Sequence, residues 1–354
     1  MRLRNSAHRV LSLLPLAALL LSGAPLSSVT EAPLAPPQST SSAPDAAQKP
    51  AAGQDVPRIR RQDGEFVFRK EVEEVILHAT VVDDKKRLVT DLTRDAFTVF
   101  EDGKPQRITL FRREDIPVSL GIVIDNSGSM MRHRPAVNQA ALNLVRASNR
   151  EDEVFVVNFN DERWLDQDFT SDIAKLKDAL ERVVSRGGTA LYDSVVASAD
   201  HLKKHAKLNK RVLLVVTDGE DNASTYTLEQ AIRKVQDNEG PTVYTIGILD
   251  PDTRKRAKRA LRAFAQQTGG IAFFPGDIEE VDAISRTVAR DIRNQYTIGY
   301  KPTNPERRAG FRSIRVDAKS RGYKRLDVRT RSGYYVSEED TPTSSTPTTG
   351  GVPR

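Results

Sequence analysis

Asp125, Ser127 and Ser129 stand at alternate positions directly behind an apolar run, Val118 to Ile124, in the stretch GIVIDNSGSM. A buried strand that ends on a carboxylate and runs into two hydroxyls presents three oxygen ligands from one short loop. Hard divalent cations such as Mg²⁺ take oxygen ligands of this kind. Two further donors lie downstream. Thr189 follows paired glycines in SRGGTALYD, and Asp218 follows an apolar run in RVLLVVTDGED. With only two carboxylates in the set, a bound cation keeps much of its positive charge, which favours capture of an anionic oxygen from outside over generation of hydroxide.

Gathering those donors requires a fold that brings separate strand ends together. From 117 to 294, apolar runs alternate with amphipathic helices: Val118 to Ile124, Val154 to Phe159, Val212 to Val216 and Val243 to Leu249 have the continuous character of buried parallel strands. The first intervening helix carries Val137, Ala140, Ala141, Leu144 and Val145 on one face, and the last, Ile278 to Asn294, carries Val281, Ile284, Val288 and Ile292. The expected fold class is therefore α/β, a doubly wound, mostly parallel, Rossmann-like sheet. In such sheets the loops at the carboxyl ends of neighbouring strands converge on one crevice, so Thr189 and Asp218 can reach an ion seated at Asp125.

Either side of that domain the sequence predicts strands. Residues 64–116 include β-branched Val72 to Val82, a short helical turn within Asp91 to Ala96, and a hairpin signal in which Phe97 to Phe100 and Ile108 to Phe111 flank Glu101-Asp102-Gly103-Lys104. Residues 295–336 include Gln295 to Tyr300, Phe311 to Asp317, Leu326 to Thr330 and Gly333 to Val336. No helix-period segment covers either set, so the two ends are expected to pair into one small flanking β-domain.

The chain ends carry no chemistry. Arg2, Arg4 and Arg9 precede an apolar segment from Val10 to Leu21 and small residues Ser22, Gly23 and Ala24, so residues 1–24 read as a signal peptide and the protein as exported, to the periplasm or beyond, or held at the membrane if the signal is retained. That segment is too short for a comfortable transmembrane span. Residues 25–63, rich in Pro, Ala and Ser, and the tail 337–354 cannot bury enough surface to offset their ordering entropy and read as disordered. The chain has no cysteine, which removes disulfides, thiolate metal sites and an acylated-cysteine anchor. Its formal charge of +6 is spread among interspersed signs, so nucleic acid is not expected as a partner.

The pattern Asp125-x-Ser127-x-Ser129, with Thr189 and Asp218 following in order on a loop and a strand end, resembles the metal-ion-dependent adhesion site of von Willebrand factor type A domains. The flanks, LTRDAFTVFEDGKPQRITLFRREDIPVSL ahead of the site and QYTIGYKP through RSGYYV behind it, resemble the exported bacterial VWFA-related domain proteins found in acidobacteria. The resemblance implies that Asp125, Ser127, Ser129, Thr189 and Asp218 hold the metal, Mg²⁺ first and Mn²⁺ or Ca²⁺ as alternatives. It also implies that the serines and threonine touch the ion while the aspartates contact it directly or through water, and that a carboxylate of a protein partner completes the octahedron. The expected function is a metal-dependent protein-binding module and not an enzyme.

Two other readings share these residues: a metal-dependent hydrolase of envelope material, and an envelope scaffold whose ion staples loops together. An apolar strand ending in Asp also opens haloacid-dehalogenase-type phosphotransferases, but those need an acid two residues on, where this chain has Ser127. Elsewhere, His201 and His205 in HLKKH have zinc spacing but lack the glutamate, and they read as a solvated helix face. The basic run Arg254 to Arg262 carries an apolar stripe, Ala257, Ala260, Leu261 and Phe264, and reads as an amphipathic helix with a charged outer face. Glu220 and Asp221 read as a charged loop beside Asp218, and Trp164 as packing.

Overall fold

A computed structural model describes residues 74–336 apart from 114, 183–184, 250–253 and 304–308. All of these fall within one compact unit, Val67–Arg354. The signal peptide, the linker and the tail expected from the sequence lie outside the described residues.

The centre is a six-stranded sheet. Its strands are β5 (Val118–Asp125), β6 (Glu153–Phe159), β7 (Arg163–Thr170), β8 (Lys210–Thr217), β9 (Thr242–Gly247) and β10 (Ala272–Phe273), ordered β10-β9-β8-β5-β6-β7. All pair in parallel except β7, which runs antiparallel to β6 at one edge. Every residue of β5 is buried, as a strand covered on both faces demands. Helices α1 (Arg134–Arg146), α2 (Ile173–Glu181) and α6 (Glu280–Arg293) cover one face, where Leu120, Ile122, Leu214 and Tyr244 meet Leu144, Leu176 and Val288. Helices α3 (Leu191–His205), α4 (Leu228–Val235) and α5 (Arg254–Thr268) cover the other, around Phe155, Val215, Val195 and Phe264.

The chain runs from β5 through α1 to β6 on one side, then crosses to β8 on the other. The order therefore reverses between β5 and β8, whose registers align Ile124 with Val216. Ligand crevices of open α/β sheets form at the carboxyl ends of strands at such a reversal. Asp125 ends β5, and Asp218 directly follows β8.

The two chain flanks interleave into a pair of four-stranded sheets. One has the order β13-β1-β11-β4 and the other β14-β12-β2-β3, from β1 (Val75–Asp83), β2 (Phe97–Glu101), β3 (Lys104–Gln106), β4 (Ile108–Arg112), β11 (Tyr296–Tyr300), β12 (Gly310–Ala318), β13 (Leu326–Arg329) and β14 (Gly333–Val336). Every sheet contains strands from both flanks, and one core, with Leu77, Val99, Tyr296 and Val316, fills the space between them.

The hairpin departs from the sequence expectation. Asp102 and Gly103 adopt φ of 47° and 77°, as a tight two-residue turn requires, but the strand returning from β2 is Lys104–Gln106. Ile108–Arg112, the expected partner, crosses instead to β11 in the other sheet. The turn residues fixed the bend, whereas the apolar residues Ile108 and Phe111 found more buried surface against Tyr296 and Phe97. The short helical turn is present as a 3₁₀ turn at Arg94–Ala96.

Candidate metal centre

The loop after β5 folds back sharply. Asp125 is fully buried, and its Oδ1 accepts a hydrogen bond from the Ser127 backbone N–H at 2.8 Å. Ser127 then opens a 3₁₀ turn, Gly128–Arg132, which is pinned underneath by buried Met130. The turn brings Ser127 Oγ within 3.2 Å of Ser129 Oγ, and the Ser129 hydroxyl donates to Asp218 Oδ1 at 2.8 Å. Four of the five sequence-predicted residues thus form one continuous hydrogen-bonded chain, Asp125 to Ser127 to Ser129 to Asp218.

Thr189 arrives from the segment ahead of α3 and is held by backbone contacts on both sides. Its N–H donates to Asn222 Oδ1 at 2.8 Å, its carbonyl accepts from the N–H groups of Asn222 and Ala223 at 2.9 and 3.2 Å, and the Ala190 N–H donates to the Asn160 carbonyl at 2.7 Å. A side chain at Gly219 would place its first carbon 3.5 Å from Thr189 Oγ1, so the threonine hydroxyl lies against the residue that follows Asp218. Gly187 has a φ of +76°, and a side-chain carbon at Gly188 would fall 2.5 Å from Asp161 Oδ1 and 2.7 Å from Asn222 Oδ1. The paired glycines therefore do two things: they permit the bend and admit the polar side chains that clamp it.

Exposure grades across the cluster. Asp125, Ser127 and Thr189 are buried, Asp218 is half-buried, and Ser129 is exposed, so the donors open to solvent on one side only. Burial pushes the Asp125 carboxyl up to about 6, against the opposing hydrogen bonds from Thr217 and Ser127, and the charge of Asp218 pushes it the same way. Burial also raises Asp218, opposed mainly by the bond from Ser129. Two carboxylates that resist ionisation unless a positive charge arrives, lined by three hydroxyls, suit a hard divalent cation. No group of three His, Cys, Asp or Glu side chains able to hold a metal occurs among the described residues. The donor set here is of the mixed carboxylate and hydroxyl kind.

Several supporting residues carry no obvious sequence signal. Thr217 donates its hydroxyl to Asp125 Oδ2 at 2.5 Å and ties the two strand ends together. Buried Asn126 accepts from Ser185 Oγ at 2.9 Å, fixing the loop of Thr189 to the loop of Asp125. Asp193, in the first turn of α3, accepts from the backbone of Thr225 and Tyr226, which holds the loop after Asp218. Only Thr217 was findable from sequence, as a hydroxyl at the last position of an apolar strand ahead of an acid. Asp221 is more than a charged loop residue: it accepts from the Tyr192 N–H and from Ser224 Oγ, and burial raises its carboxyl.

Of the histidine pair, His205 is exposed as expected, whereas His201 is packed. His201 stacks on Phe169 with ring centroids 5.3 Å apart, meets Phe155 edge-on at 4.8 Å and bonds Asp168 at 2.9 Å. The polar strand β7 delivers Phe169 and Asp168 to α3, and no periodicity in the sequence announces that strand.

Residues 120–220 match the family model described as von Willebrand factor type A domain. No curated protein matches the chain. Among solved structures, a von Willebrand factor type A protein from Catenulispora acidiphila is 14% identical, with 77% of this chain and 76% of that one covered and a TM-score of 0.44. An aerotolerance-related membrane protein from Bacteroides fragilis is 18% identical over 49% of this chain and 98% of its own, with a TM-score of 0.42. Proximal thread matrix protein 1 from the mussel byssus, with a zinc-occupied MIDAS motif, is 17% identical over 54% of this chain and 49% of its own, with a TM-score of 0.43.

Proposed function

We propose that the von Willebrand factor type A domain carried by this chain is an exported protein-binding module, whose crevice between β5 and β8 holds a divalent cation that binds an acidic group of a partner. The single observation that carries this reading is the convergence of two charge-poor carboxylates with three hydroxyls at the strand-order reversal, open to solvent on one side. Asp125, Ser127, Ser129, Thr189 and Asp218 would hold the ion, with Mg²⁺ the preferred candidate and Mn²⁺ or Ca²⁺ acceptable to the same hard oxygens. The bound ion supplies a positive centre that two carboxylates do not neutralise. Thr217 and the Ser127 N–H hold the Asp125 carboxylate in place, and the clamped loops of Thr189 and Asn126 keep the hydroxyls oriented without a partner present.

With only two carboxylates in the donor set, a bound divalent ion stays positive, which favours capture of an anionic oxygen over generation of hydroxide. Titration of the full chain with Mg²⁺, followed by capture of carboxylate-bearing partners with and without EDTA, tests the proposal. The expected result is partner binding that EDTA and Asp125→Ala both remove while the fold persists. Undiminished binding in excess EDTA overturns it. Metal binding and thermal stabilisation with no metal-dependent partner would turn the reading toward a scaffold. Hydrolysis of a phosphoester or peptide panel, lost in Asp218→Ala, would turn it toward an enzyme.

A further inference from the structure

Helix α5 concentrates charge of one sign. Its sequence, RKRAKRALRAFAQQT, carries six basic residues and no acid. The apolar stripe is buried as its spacing demands, with Ala257, Ala260, Leu261 and Phe264 each at most 2% exposed. The opposite face presents Lys255, Arg256, Arg259 and Arg262 to solvent, with Lys258 half-exposed beside them. Elsewhere some exposed helical cations have acids one turn away, as Lys177 has Glu181 and Arg286 has Asp282, while Arg233 and Lys234 of α4 rest over the rings of Tyr335 and Tyr226. Among the described residues no carboxylate forms an ion pair with the exposed cations of α5, and Lys258 and Arg262 rest instead over the ring of Phe274, at 4.8 and 5.3 Å.

This arrangement opposes the stability of the helix itself. The first turn of a helix favours anions, because its free N–H groups make that end positive. Helices α4 and α6 comply, with Glu229 in one first turn and Glu280 and Asp282 in the other. The first turn of α5 holds Arg254, Lys255 and Arg256 and no acid. Like charges three and four apart, Lys255 with Arg259, Arg256 with Arg259 and Lys258 with Arg262, add repulsion along the same ridge. A run of exposed like charge, with no ion pair to a carboxylate among the described residues, marks a face that an acidic partner can complete.

The strand that leads to α5 ends beside the strand that carries Asp218. Gly247, the last residue of β9, pairs with Thr217, and the Ile248 N–H donates to the Thr217 carbonyl at 2.9 Å, so the strand leading to α5 ends alongside Asp218. Tyr192, three residues beyond Thr189, packs its ring against Phe264 of α5 at 6.1 Å. From Lys255 to Arg262 the ridge runs about 10 Å outward at the rise of an α-helix.

We propose that the outer face of α5, Lys255, Arg256, Lys258, Arg259 and Arg262, is the second half of the binding surface and takes an acidic polypeptide segment. One carboxylate of that segment reaches the cation crevice, and the following acids lie along the ridge. The proposal rests on the metal-bridged reading above and names the chemistry of its partner. Occupancy by acids pairs the exposed guanidinium groups and relieves the charge at the first turn, so the segment is recognised by its run of negative charge. A single carboxylate would use the metal alone.

The test uses the full chain with fluorescent octaglutamate as probe. In Mg²⁺ the wild type binds the peptide with an affinity that falls as salt rises. Arg256→Glu combined with Arg259→Glu and Arg262→Glu weakens that affinity at least about tenfold while leaving Mg²⁺ affinity and the melting temperature undiminished. The milder Arg256→Gln with Arg259→Gln gives an intermediate loss. Peptide affinity in the triple variant within about twofold of wild type overturns the proposal. Tighter binding of single-stranded DNA or of phosphatidylglycerol vesicles than of octaglutamate, abolished by the same triple variant, overturns the assignment to a polypeptide. Peptide binding that survives EDTA in full and is lost in the triple variant supports the ridge and rejects the metal bridge. Binding lost to EDTA and untouched by the triple variant does the reverse.

Discussion

The flanking β-sandwich and the crevice of the central sheet both bury carboxylates, but they treat them in opposite ways. In the sandwich, Glu101 accepts from the hydroxyls of Tyr300 at 2.5 Å and Tyr334 at 3.1 Å. Burial, with the Glu101 bond second, holds the Tyr300 hydroxyl far above its ordinary range, so it stays a donor. Where α6 meets β13, Asp291 likewise accepts two bonds from Arg329, both 2.6 Å, and one from the Tyr244 hydroxyl at 2.6 Å. These acids take their hydrogen bonds from distant parts of the chain. In the crevice, Asp125 is as deeply buried, yet its partners are a hydroxyl and a backbone N–H, no cation side chain bonds it, and its carboxyl rises to about 6. A buried acid without a cation is costly. The sandwich gives Glu101 internal hydroxyl partners, whereas the crevice leaves a charge deficit for something outside to fill.

That contrast breaks most visibly at Asp125. Asp125→Ala is expected to remove measurable Mg²⁺ binding in calorimetry, a loss of more than about a hundredfold for a direct metal ligand, while the metal-free variant unfolds at the same urea concentration as wild type or a higher one. A large loss of stability would show that Asp125 is structural, as Glu101 is. Glu101→Ala should do the opposite. It strands the buried Tyr300 hydroxyl, costs about 1 to 3 kcal/mol in urea unfolding, and leaves Mg²⁺ affinity unchanged.

The pH dependence sharpens the comparison further. A carboxyl that titrates near 6 in the fold and near 3.8 when unfolded binds its proton more tightly in the folded state. Its stabilising contribution is therefore full below the unfolded value and is lost as pH rises through about 6. Relative to Asp125→Asn, the metal-free wild type should lose about 2 to 3 kcal/mol of stability between the two pKa values, and saturating Mg²⁺ should abolish that loss. A flat difference curve would mean that the crevice already neutralises Asp125. The smallest effect belongs to Thr217→Val, which deletes the hydroxyl bonded to Asp125 Oδ2 and should weaken Mg²⁺ binding about tenfold with no change in the sandwich.

How far these two regions could be read in advance differs for a physical reason. Around the crevice, each donor sits at the end of an apolar run or beside paired glycines, and the rule that strand ends converge at an order reversal does the rest. Asp125, Ser127, Ser129 and Asp218 accordingly form the hydrogen-bonded chain expected of neighbours, with Thr189 beside Gly219. What the pattern could not reveal is the shell behind them. Asn126, Asn222 and Asp193 act on groups far along the chain, and an Asn or Asp looks the same whether it clamps a loop or faces water.

In the sandwich the strands themselves were legible, since Gln295 to Tyr300 and Gly333 to Val336 alternate or run apolar as strands do. Their partners were not. Ile108–Arg112 left the hairpin for β11, and polar β7, with Arg163, Asp166 and Asp168 along it, gave no periodic signal while bringing Phe169 to His201.

The sequence by itself determined the order of the oxygen donors, the strands that carry them and the charge of α5, because spacing, apolar runs and side-chain chemistry are local properties of the chain. Only the tertiary structure decided which strands pair, which acids find internal partners, and that the strand leading to α5 ends beside Thr217. Those outcomes depend on distances between residues remote in sequence, and they are settled by competition for buried surface and hydrogen bonds across the whole fold.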